Sequence, residues 1–161
     1  MQRLLSGLAA MMFTLPSYGQ QLPRPARDYP IKLTNGQTVT VSQLKGKPVV
    51  LEFLLTTCPH CQETASILSK MSKEFGSKVQ IYGIAMNDNP DVPGFIKQFD
   101  LPFPVGTGPR EPVYDFLQHS IMQPRMNFPQ LVFIDKAGLI QAQYDGGQEF
   151  FGPDQEKNIR T

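Results

Sequence analysis

The most informative segment of the sequence is Val49-Val50-Leu51-Glu52-Phe53-Leu54-Leu55-Thr56-Thr57-Cys58-Pro59-His60-Cys61. It joins a nearly all-apolar run to the only two cysteines of the sequence, which stand two residues apart. An apolar run of this length is typical of a strand buried on both faces of a sheet. After it, apolar residues recur at helical spacing, at Ala65, Leu68, Met71 and Phe75. The stretch therefore predicts a buried strand, a Cys-x-x-Cys turn and a helix, in that order.

The two cysteines differ in their predicted positions on that helix. Cys58 would lie at the helix N-terminus, where free backbone N–H groups and the helix dipole favour an anion. We therefore predict that Cys58 is the attacking group, because the thiolate is the form that attacks a disulfide. Cys61, one turn further on, would be the resolving thiol that breaks the mixed disulfide.

Two other uses of the cysteine pair are weaker. A structural zinc ion needs four ligands, and this chain has no third cysteine and, beyond His60, no histidine except His119. A purely structural disulfide would close a very short loop, which restricts the unfolded chain least. A redox-active dithiol is the better interpretation. We expect no metal and no cofactor other than the redox-active disulfide itself.

Length and composition fit a single globular domain. The chain has 161 residues, of which 40% are hydrophobic and 18% charged. That is enough for a hydrophobic core and unlike a disordered chain. The net charge of +1 gives no indication of a nucleic-acid partner. No apolar run reaches the roughly 18 residues that a membrane-spanning helix needs.

The N-terminus has the features of a targeting segment. Arg3 precedes a short apolar core at 4–15, and small residues flank Tyr18. We therefore predict a secretory signal peptide over residues 1–19, with an ordinary buried helix as the alternative. Export would place the protein in the periplasm or another extracytoplasmic compartment, where disulfides persist. Residues 20–29 contain two prolines and are predicted to be an extended linker.

Strand and helix patterns alternate over residues 30–147, which we predict to be one domain. Alternation around Asn35-Gly36 predicts an N-terminal β-hairpin. Apolar runs at 79–85 and 131–134 predict two further buried strands, and residues 106–109 are expected to form a turn. The pattern is that of an α/β sandwich, with a mixed central sheet flanked by helices.

The last part of the chain is short. Residues 148–161 are predicted to be a C-terminal tail, in which Asp154 would begin a short helix that ends at Arg160. A closing helix over the sheet is therefore expected to be missing or stunted.

Several motifs together resemble the thioredoxin superfamily, and within it the TlpA/ResA group of exported thiol–disulfide oxidoreductases. They are Leu44-Lys45-Gly46-Lys47-Pro48-Val49-Val50-Leu51, Phe53 and Thr56 with Cys58-Pro59-His60-Cys61, Leu101-Pro102-Phe103-Pro104, and Pro129-Gln130-Leu131-Val132-Phe133-Ile134-Asp135 with Gly138. The resemblance implies a thioredoxin-like fold and the exchange of disulfides with protein thiols. It also implies an upstream electron donor or acceptor, and a role in envelope protein thiol balance or cytochrome c maturation. We expect the protein to be a monomer.

The resemblance also implies roles for individual residues. Glu52 corresponds to a buried carboxylate behind the second cysteine, which would take the proton from Cys61. Pro129 corresponds to a cis-proline that faces the cysteine pair, so that the Phe128 main chain can pair with an extended substrate. Asn127 would line the same groove.

Two residues of the active-site turn complete the predicted substrate-binding surface. They are Pro59 and Thr57.

The chain departs from the family pattern at two positions. Thr57 stands where the family usually has Trp, and Thr64 stands where many members carry Glu. Glu63 lies one residue earlier, on a different helical face, and is given no role.

His60 is predicted to tune the cysteine pair. As a cation or hydrogen-bond donor near the sulfur of Cys58, it would favour the thiolate and make the couple more oxidising. The Cys-Pro-His-Cys tetrapeptide resembles that of DsbA-type oxidants, whereas the scaffold resembles a group that contains many reductases. The direction of electron flow stays open. The alternative that His60 is exposed and has no effect on the cysteine pair also stays open.

Two other classes of function stay open. Exported thioredoxin-like Sco proteins bind copper through two cysteines and a distant histidine, so Cys58, Cys61 and His119 are candidate Cu(I) ligands. Sco sites, however, space their cysteines three residues apart. The other class is an interaction domain that uses only the fold. A peroxidase is weaker still, because peroxiredoxins have Thr three residues before the attacking cysteine, where this chain has Leu55.

Overall fold

The structure is a computed structural model that describes residues 21–120, 122–123 and 125–161. The predicted signal peptide, residues 1–19, lies outside the described residues. The strands are β1 (Arg24–Pro25), β2 (Pro30–Leu33), β3 (Thr38–Thr40), β4 (Val49–Leu54), β5 (Gln80–Ala85), β6 (Val105–Thr107), β7 (Gln130–Ile134) and β8 (Leu139–Asp145). The α-helices are α1 (Pro59–Phe75), α2 (Val92–Gln98), α3 (Arg110–Phe116) and α4 (Gln155–Arg160).

All of these strands form one mixed sheet, in the order β1-β8-β7-β4-β5-β6-β2-β3. β4 pairs in parallel with β5 and antiparallel with β7. β5 pairs in parallel with β6, and the β2–β3 hairpin adds antiparallel to the other side of β6. The predicted thioredoxin-like α/β sandwich, with its mixed sheet and N-terminal hairpin, is therefore confirmed.

β4 lies at the centre of the sheet and is buried along its full length. Its side chains alternate between two cores, as the two-residue period of a strand requires. Val50 and Leu54 pack in a core with residues of α1, α2 and α4, whereas Leu51 and Phe53 pack in a core with residues of α3. Because both faces are covered, β4 holds the turn that follows it in a fixed position.

The ends of α1 agree with the sequence prediction. Pro59 occupies the first turn, where a missing backbone N–H costs nothing. Gly76 follows Phe75 with a φ of +55°, in the region that favours glycine. None of the helices in the described part of the chain is both long and apolar enough to cross a membrane.

The turn expected at 106–109 is wrong in part, because Gly106 and Thr107 belong to β6. A Cβ atom on Gly106 would lie 2.4 Å from the carbonyl oxygen of Lys32. The glycine therefore allows β2 to approach β6 closely, a tertiary requirement that local turn chemistry does not reveal.

Segments at both ends of the described chain belong to the sandwich. The predicted linker contains β1, in which Arg24 pairs with Ile140 of β8 and donates a 2.9 Å hydrogen bond to the carbonyl oxygen of Phe116. The predicted tail buries Phe151 and Ile159 in the core that also holds α1. The short helix predicted from Asp154 to Arg160 is present as α4. These two apolar side chains help to attach the tail to the rest of the sandwich.

Candidate active site at the Cys58–Cys61 turn

Cys58 occupies the N-cap position of α1, directly after the turn that leaves β4. Its backbone N–H donates to the carbonyl oxygen of Leu55 at 3.0 Å, and its own carbonyl oxygen accepts from the N–H of Gln62 at 3.0 Å. The side chain is half-buried. The sulfur is thus held at the positive end of a helix dipole while part of it faces solvent.

Cys61 lies one turn into α1 and is fully buried. The backbone N–H of Leu55 donates to its sulfur at 3.5 Å. Burial is the main cause that raises the pKa of the Cys61 thiol, and a hydrogen bond with the Cys58 side chain and the charges of Glu52 and Cys58 add to it. Cys61 therefore keeps its proton under conditions in which an ordinary thiol begins to lose it.

Glu52 points into the core from the middle of β4, where it pairs with Gly83 on one side and Leu131 on the other. It is fully buried, and neither carboxyl oxygen has a hydrogen-bond partner among the described residues. Burial raises the pKa of this carboxyl, and the charge of Cys58 raises it further. A carboxyl in such a setting favours its protonated form.

The peptide bond between Phe128 and Pro129 is cis, as the family resemblance implies. The carbonyl oxygen of Phe128 lies 4.0 Å from the sulfur of Cys58. A Cβ atom on Gly146 would lie 2.3 Å from that same carbonyl oxygen. Glycine at this position, just after β8, therefore allows the chain to pass directly behind the Phe128–Pro129 peptide.

Side chains around this peptide differ in their exposure. Pro129 is buried, Phe128 is half-buried and Asn127 is exposed. The carbonyl oxygen of Asn127 accepts a 2.7 Å hydrogen bond from Nε2 of Gln130, which is itself buried in β7. The loop before β7 is therefore attached to the sheet next to Cys58.

The remaining predicted residues of the turn are exposed. Thr57, Pro59 and His60 all present their side chains to solvent around Cys58. No hydrogen bond or ion pair of the His60 side chain is found among the described residues. The roles given to these three residues stay predictions.

A polar network holds the turn from the neighbouring strand, and sequence reasoning missed it. The side chain of Asn87 accepts from the backbone N–H of Thr56 at 3.0 Å and donates to its hydroxyl at 3.1 Å. Gln62 donates to the carbonyl oxygen of Thr56 at 2.9 Å. Asn87 follows the end of β5, and the carboxyl ends of adjacent parallel strands meet at one edge of a sheet. This rule could have indicated Asn87 from the sequence, since the residue follows a predicted strand next to β4.

The structure does not bring His119 to the cysteine pair. Nε2 of His119 lies 2.7 Å from the carbonyl oxygen of Gln123, and its ring packs against Tyr114. Among the described residues, no group of three or more His, Cys, Asp or Glu side chains is arranged to hold a metal ion. The geometry thus gives no support to the copper site of Cys58, Cys61 and His119.

The sequence is similar to those of a thioredoxin-like protein and a thiol-disulfide oxidoreductase from bacteria. The thioredoxin-like protein YneN of Bacillus subtilis is 27% identical over 127 residues, which make up 76% of this chain and 68% of that protein. The thiol-disulfide oxidoreductase ResA of Bacillus subtilis is 32% identical over 82 residues, 50% of this chain and 46% of that protein. The chain thus matches about half the length of ResA.

Solved structures show the same fold. A thiol:disulfide interchange protein of the thioredoxin family from Chlorobium tepidum superposes with a TM-score of 0.68 at 22% identity, over 88% of this chain and 97% of the other. A secreted disulfide oxidoreductase of Mycobacterium tuberculosis superposes with a TM-score of 0.58 at 23% identity, over 73% of this chain and 82% of the other.

Fold, paired thiols and relatives together define a thiol–disulfide oxidoreductase of the thioredoxin type. More specifically, the chain belongs to the AhpC/TSA family, whose model matches residues 19–143. Within that family its relatives make it similar to the ResA group.

Proposed function

We propose that the protein exchanges disulfides with protein thiols in an extracytoplasmic compartment, through a mixed disulfide on Cys58 that Cys61 resolves. The observation that carries this proposal is the asymmetry of the two thiols. Cys58 is half-buried at the helix N-terminus, and Cys61 is fully buried one turn behind it. A polypeptide substrate can reach the first sulfur and not the second.

The reaction is a two-electron transfer in two steps. The Cys58 thiolate attacks one sulfur of a substrate disulfide, the substrate S–S bond breaks, and the other substrate sulfur leaves as a thiolate. Cys61 then loses its proton and attacks the sulfur of Cys58, and the first substrate sulfur leaves. The protein ends as the Cys58–Cys61 disulfide and the substrate as a dithiol. The same steps in reverse oxidise a substrate dithiol.

Glu52 supports the second step as the acceptor of the Cys61 proton. The charge of Cys58 is one cause of the raised pKa of Glu52. That charge disappears once Cys58 is tied in a mixed disulfide, so the pKa of Glu52 falls at this stage. Glu52 then ionises more readily when a base is needed for Cys61.

Other residues of the site position the substrate. The main chain of Phe128 lies beside the sulfur of Cys58, where it can pair with an extended polypeptide as an added strand does. Thr57, Pro59 and Asn127 supply the exposed surface around it. His60, two residues after Cys58 on α1, tunes the balance between dithiol and disulfide.

The proposed setting is the cell envelope. The predicted signal peptide at 1–19 and a secreted structural relative support export. Resemblance to the TlpA/ResA group supports a role in envelope thiol balance or in cytochrome c maturation, with an upstream electron donor or acceptor that recharges the pair.

Trapping of the mixed disulfide tests this function. Cys61→Ser should accumulate a covalent adduct with a disulfide-bonded peptide, because no resolving thiol is left, and Cys58→Ser should form none. Mass spectrometry under non-reducing conditions measures both. An adduct on Cys61 in the Cys58→Ser variant, or equal adducts in the two variants, would contradict the assigned order.

A redox titration of the wild-type pair against glutathione or dithiothreitol then gives the direction. An oxidising potential would make the protein a disulfide donor, with His60 as the tuning residue. A strongly reducing potential would make it a reductase. Absence of any reversible dithiol–disulfide equilibrium would refute the proposed function.

A further inference from the structure

A pocket of about 340 Å³ lies next to the cysteine turn, on the face of the sheet that carries α3. Its apolar walls include Leu55 from the end of β4, Met86 from the end of β5, Val113 of α3 and Phe128. Its volume is at the lower end of the about 300–1,000 Å³ that ligand pockets span. It is therefore suited to a side chain or two rather than to a large ligand.

Two residues that line the pocket also contact Cys58. The carbonyl oxygen of Leu55 accepts a 3.0 Å hydrogen bond from the backbone N–H of Cys58. The carbonyl oxygen of Phe128 lies 4.0 Å from Cys58 Sγ. Both residues also line the pocket. A polypeptide whose cysteine reaches Cys58 therefore has the neighbouring residue close to this pocket.

Two arginines, Arg110 and Arg125, line the pocket. Arg110 donates to the carbonyl oxygen of Met86 at 3.0 and 3.2 Å and lies 3.3 Å from a carboxyl oxygen of Asp88. Arg125 is exposed, and it has no ion pair in the part of the chain that the structure describes. The lining contains no carboxylate. The pocket thus combines apolar walls with two arginine side chains.

We propose that this pocket is a specificity site for the residues that follow the reacting cysteine of a polypeptide substrate. It takes an apolar side chain within two residues of that cysteine, and Arg125 pairs with an acidic residue beside it. This inference rests on the proposed function, since the peptide is delivered by its disulfide with Cys58. It adds a preference that the exchange chemistry alone does not require.

Activated peptides test the preference in the Cys61→Ser background. Each peptide carries its cysteine as a 2-pyridyl disulfide. The Cys58 thiolate attacks the peptide sulfur, pyridine-2-thione leaves, and a peptide–Cys58 disulfide remains. Peptides with Cys-Leu-Glu, Cys-Leu-Gln and Cys-Ser-Gln cores are compared with the uncharged 2-hydroxyethyl pyridyl disulfide. Release of the thione gives a second-order rate constant, and each peptide rate is divided by the rate of the small reagent in the same variant.

The expected normalised rate is about tenfold higher for Leu-Gln than for Ser-Gln, as one apolar group in a pocket can supply. The rate for Leu-Glu should be about two- to fourfold higher than the rate for Leu-Gln, because an exposed ion pair contributes a free energy of this order. Arg125→Gln should abolish the Glu-over-Gln ratio and keep the Leu-over-Ser ratio. Lys47→Gln, an exposed charge removed at the opposite end of β4, should change neither ratio.

Two results overturn the inference in different ways. Equal normalised rates for the three peptides, or a Glu-over-Gln ratio that survives in Arg125→Gln, would remove the specificity site and leave the proposed function intact. A Cys58 that fails to react with the small reagent as well would refute the proposed function, and this inference with it.

Discussion

Gln155 of α4 donates a 2.5 Å hydrogen bond to the hydroxyl of Thr64 on α1, and both side chains are almost fully buried. The Thr64 hydroxyl in turn donates to the carbonyl oxygen of His60 at 2.9 Å. The last helix is therefore connected, through one threonine, to the backbone between the two cysteines.

Thr64→Val should lower the free energy of unfolding by about 1–3 kcal/mol, because the buried amide of Gln155 then has no acceptor. The double variant Thr64→Val/Gln155→Leu should recover most of this loss, since removing both partners leaves no unsatisfied group. Urea unfolding of the single and double variants measures the coupling. Additive losses would show that the hydrogen bond contributes nothing of its own.

Glu52→Gln should change how stability depends on pH. The folded protein keeps the proton of Glu52 to a higher pH than the unfolded chain, whose carboxyl has the ordinary pKa of 4.5. Protonated Glu52 therefore makes its full contribution to the free energy of unfolding below pH 4.5. This contribution is lost as the pH rises through the raised pKa of Glu52 in the folded protein. Wild type should therefore lose stability between pH 4 and pH 8, and Glu52→Gln should lose less over the same range.

Urea unfolding of the reduced proteins at the two pH values measures this difference. The exposed Glu63 on α1 provides the control, and Glu63→Gln should follow the wild-type curve. A Glu52→Gln curve parallel to wild type would mean that the carboxyl titrates normally. Glu52→Gln, in which both cysteines are kept, should also accumulate a mixed disulfide between Cys58 and a substrate peptide. The reason is that Cys61 resolves this mixed disulfide more slowly when Glu52 cannot accept its proton.

Gly146→Ala should displace the Phe128–Pro129 peptide. The new Cβ would lie 2.3 Å from a backbone oxygen that cannot rotate away, and crowding of this kind costs about 1–3 kcal/mol. We expect a lower melting temperature and an exchange rate reduced about tenfold. Gly147→Ala is a matched control, because its Cβ meets the side-chain amide of Asn127 at 2.9 Å, and that amide can move. Equal effects of the two variants would contradict the prediction.

Asn87→Ala should loosen the turn before Cys58. Thr56 would lose the side chain that now accepts from its backbone N–H and donates to its hydroxyl. We expect the exchange rate to fall several-fold and the free energy of unfolding to fall by about 1 kcal/mol. Asn158→Ala removes a comparable hydrogen bond to the carbonyl oxygen of Phe150, far along the chain from the cysteines. It should also lower the free energy of unfolding, but it should leave the exchange rate unchanged.

The sequence could predict the parts of the site that lie close together in the chain. The buried strand from Val49, the helix that begins at Pro59 and the glycine stop at Gly76 all follow from local patterns. The cis bond at Pro129 followed from a family resemblance. The role expected for Glu52 followed from the same resemblance, and Glu52 lies within the apolar run that predicts β4.

Features that depend on distant pairing were missed. Asn87 and Gln155 are ordinary polar residues in the sequence, and they matter because the fold brings them to Thr56 and Thr64. β1 is two residues long and contains Pro25, so it has no detectable strand pattern. Its place in the sheet depends on Arg24, whose partners lie on α3 and β8.

The order of the strands has a consequence for solubility. Within the described residues, the edges of the sheet are β1, with two residues including Pro25, and β3, with three. A short edge, and one with a proline, offers few unpaired N–H and C=O groups on which another chain could build a growing sheet. For the proposed exchange of disulfides with polypeptide substrates, such edges would limit co-aggregation of the protein with those substrates. Lengthening β1 by replacing Pro25 with Val would be expected to remove part of that protection.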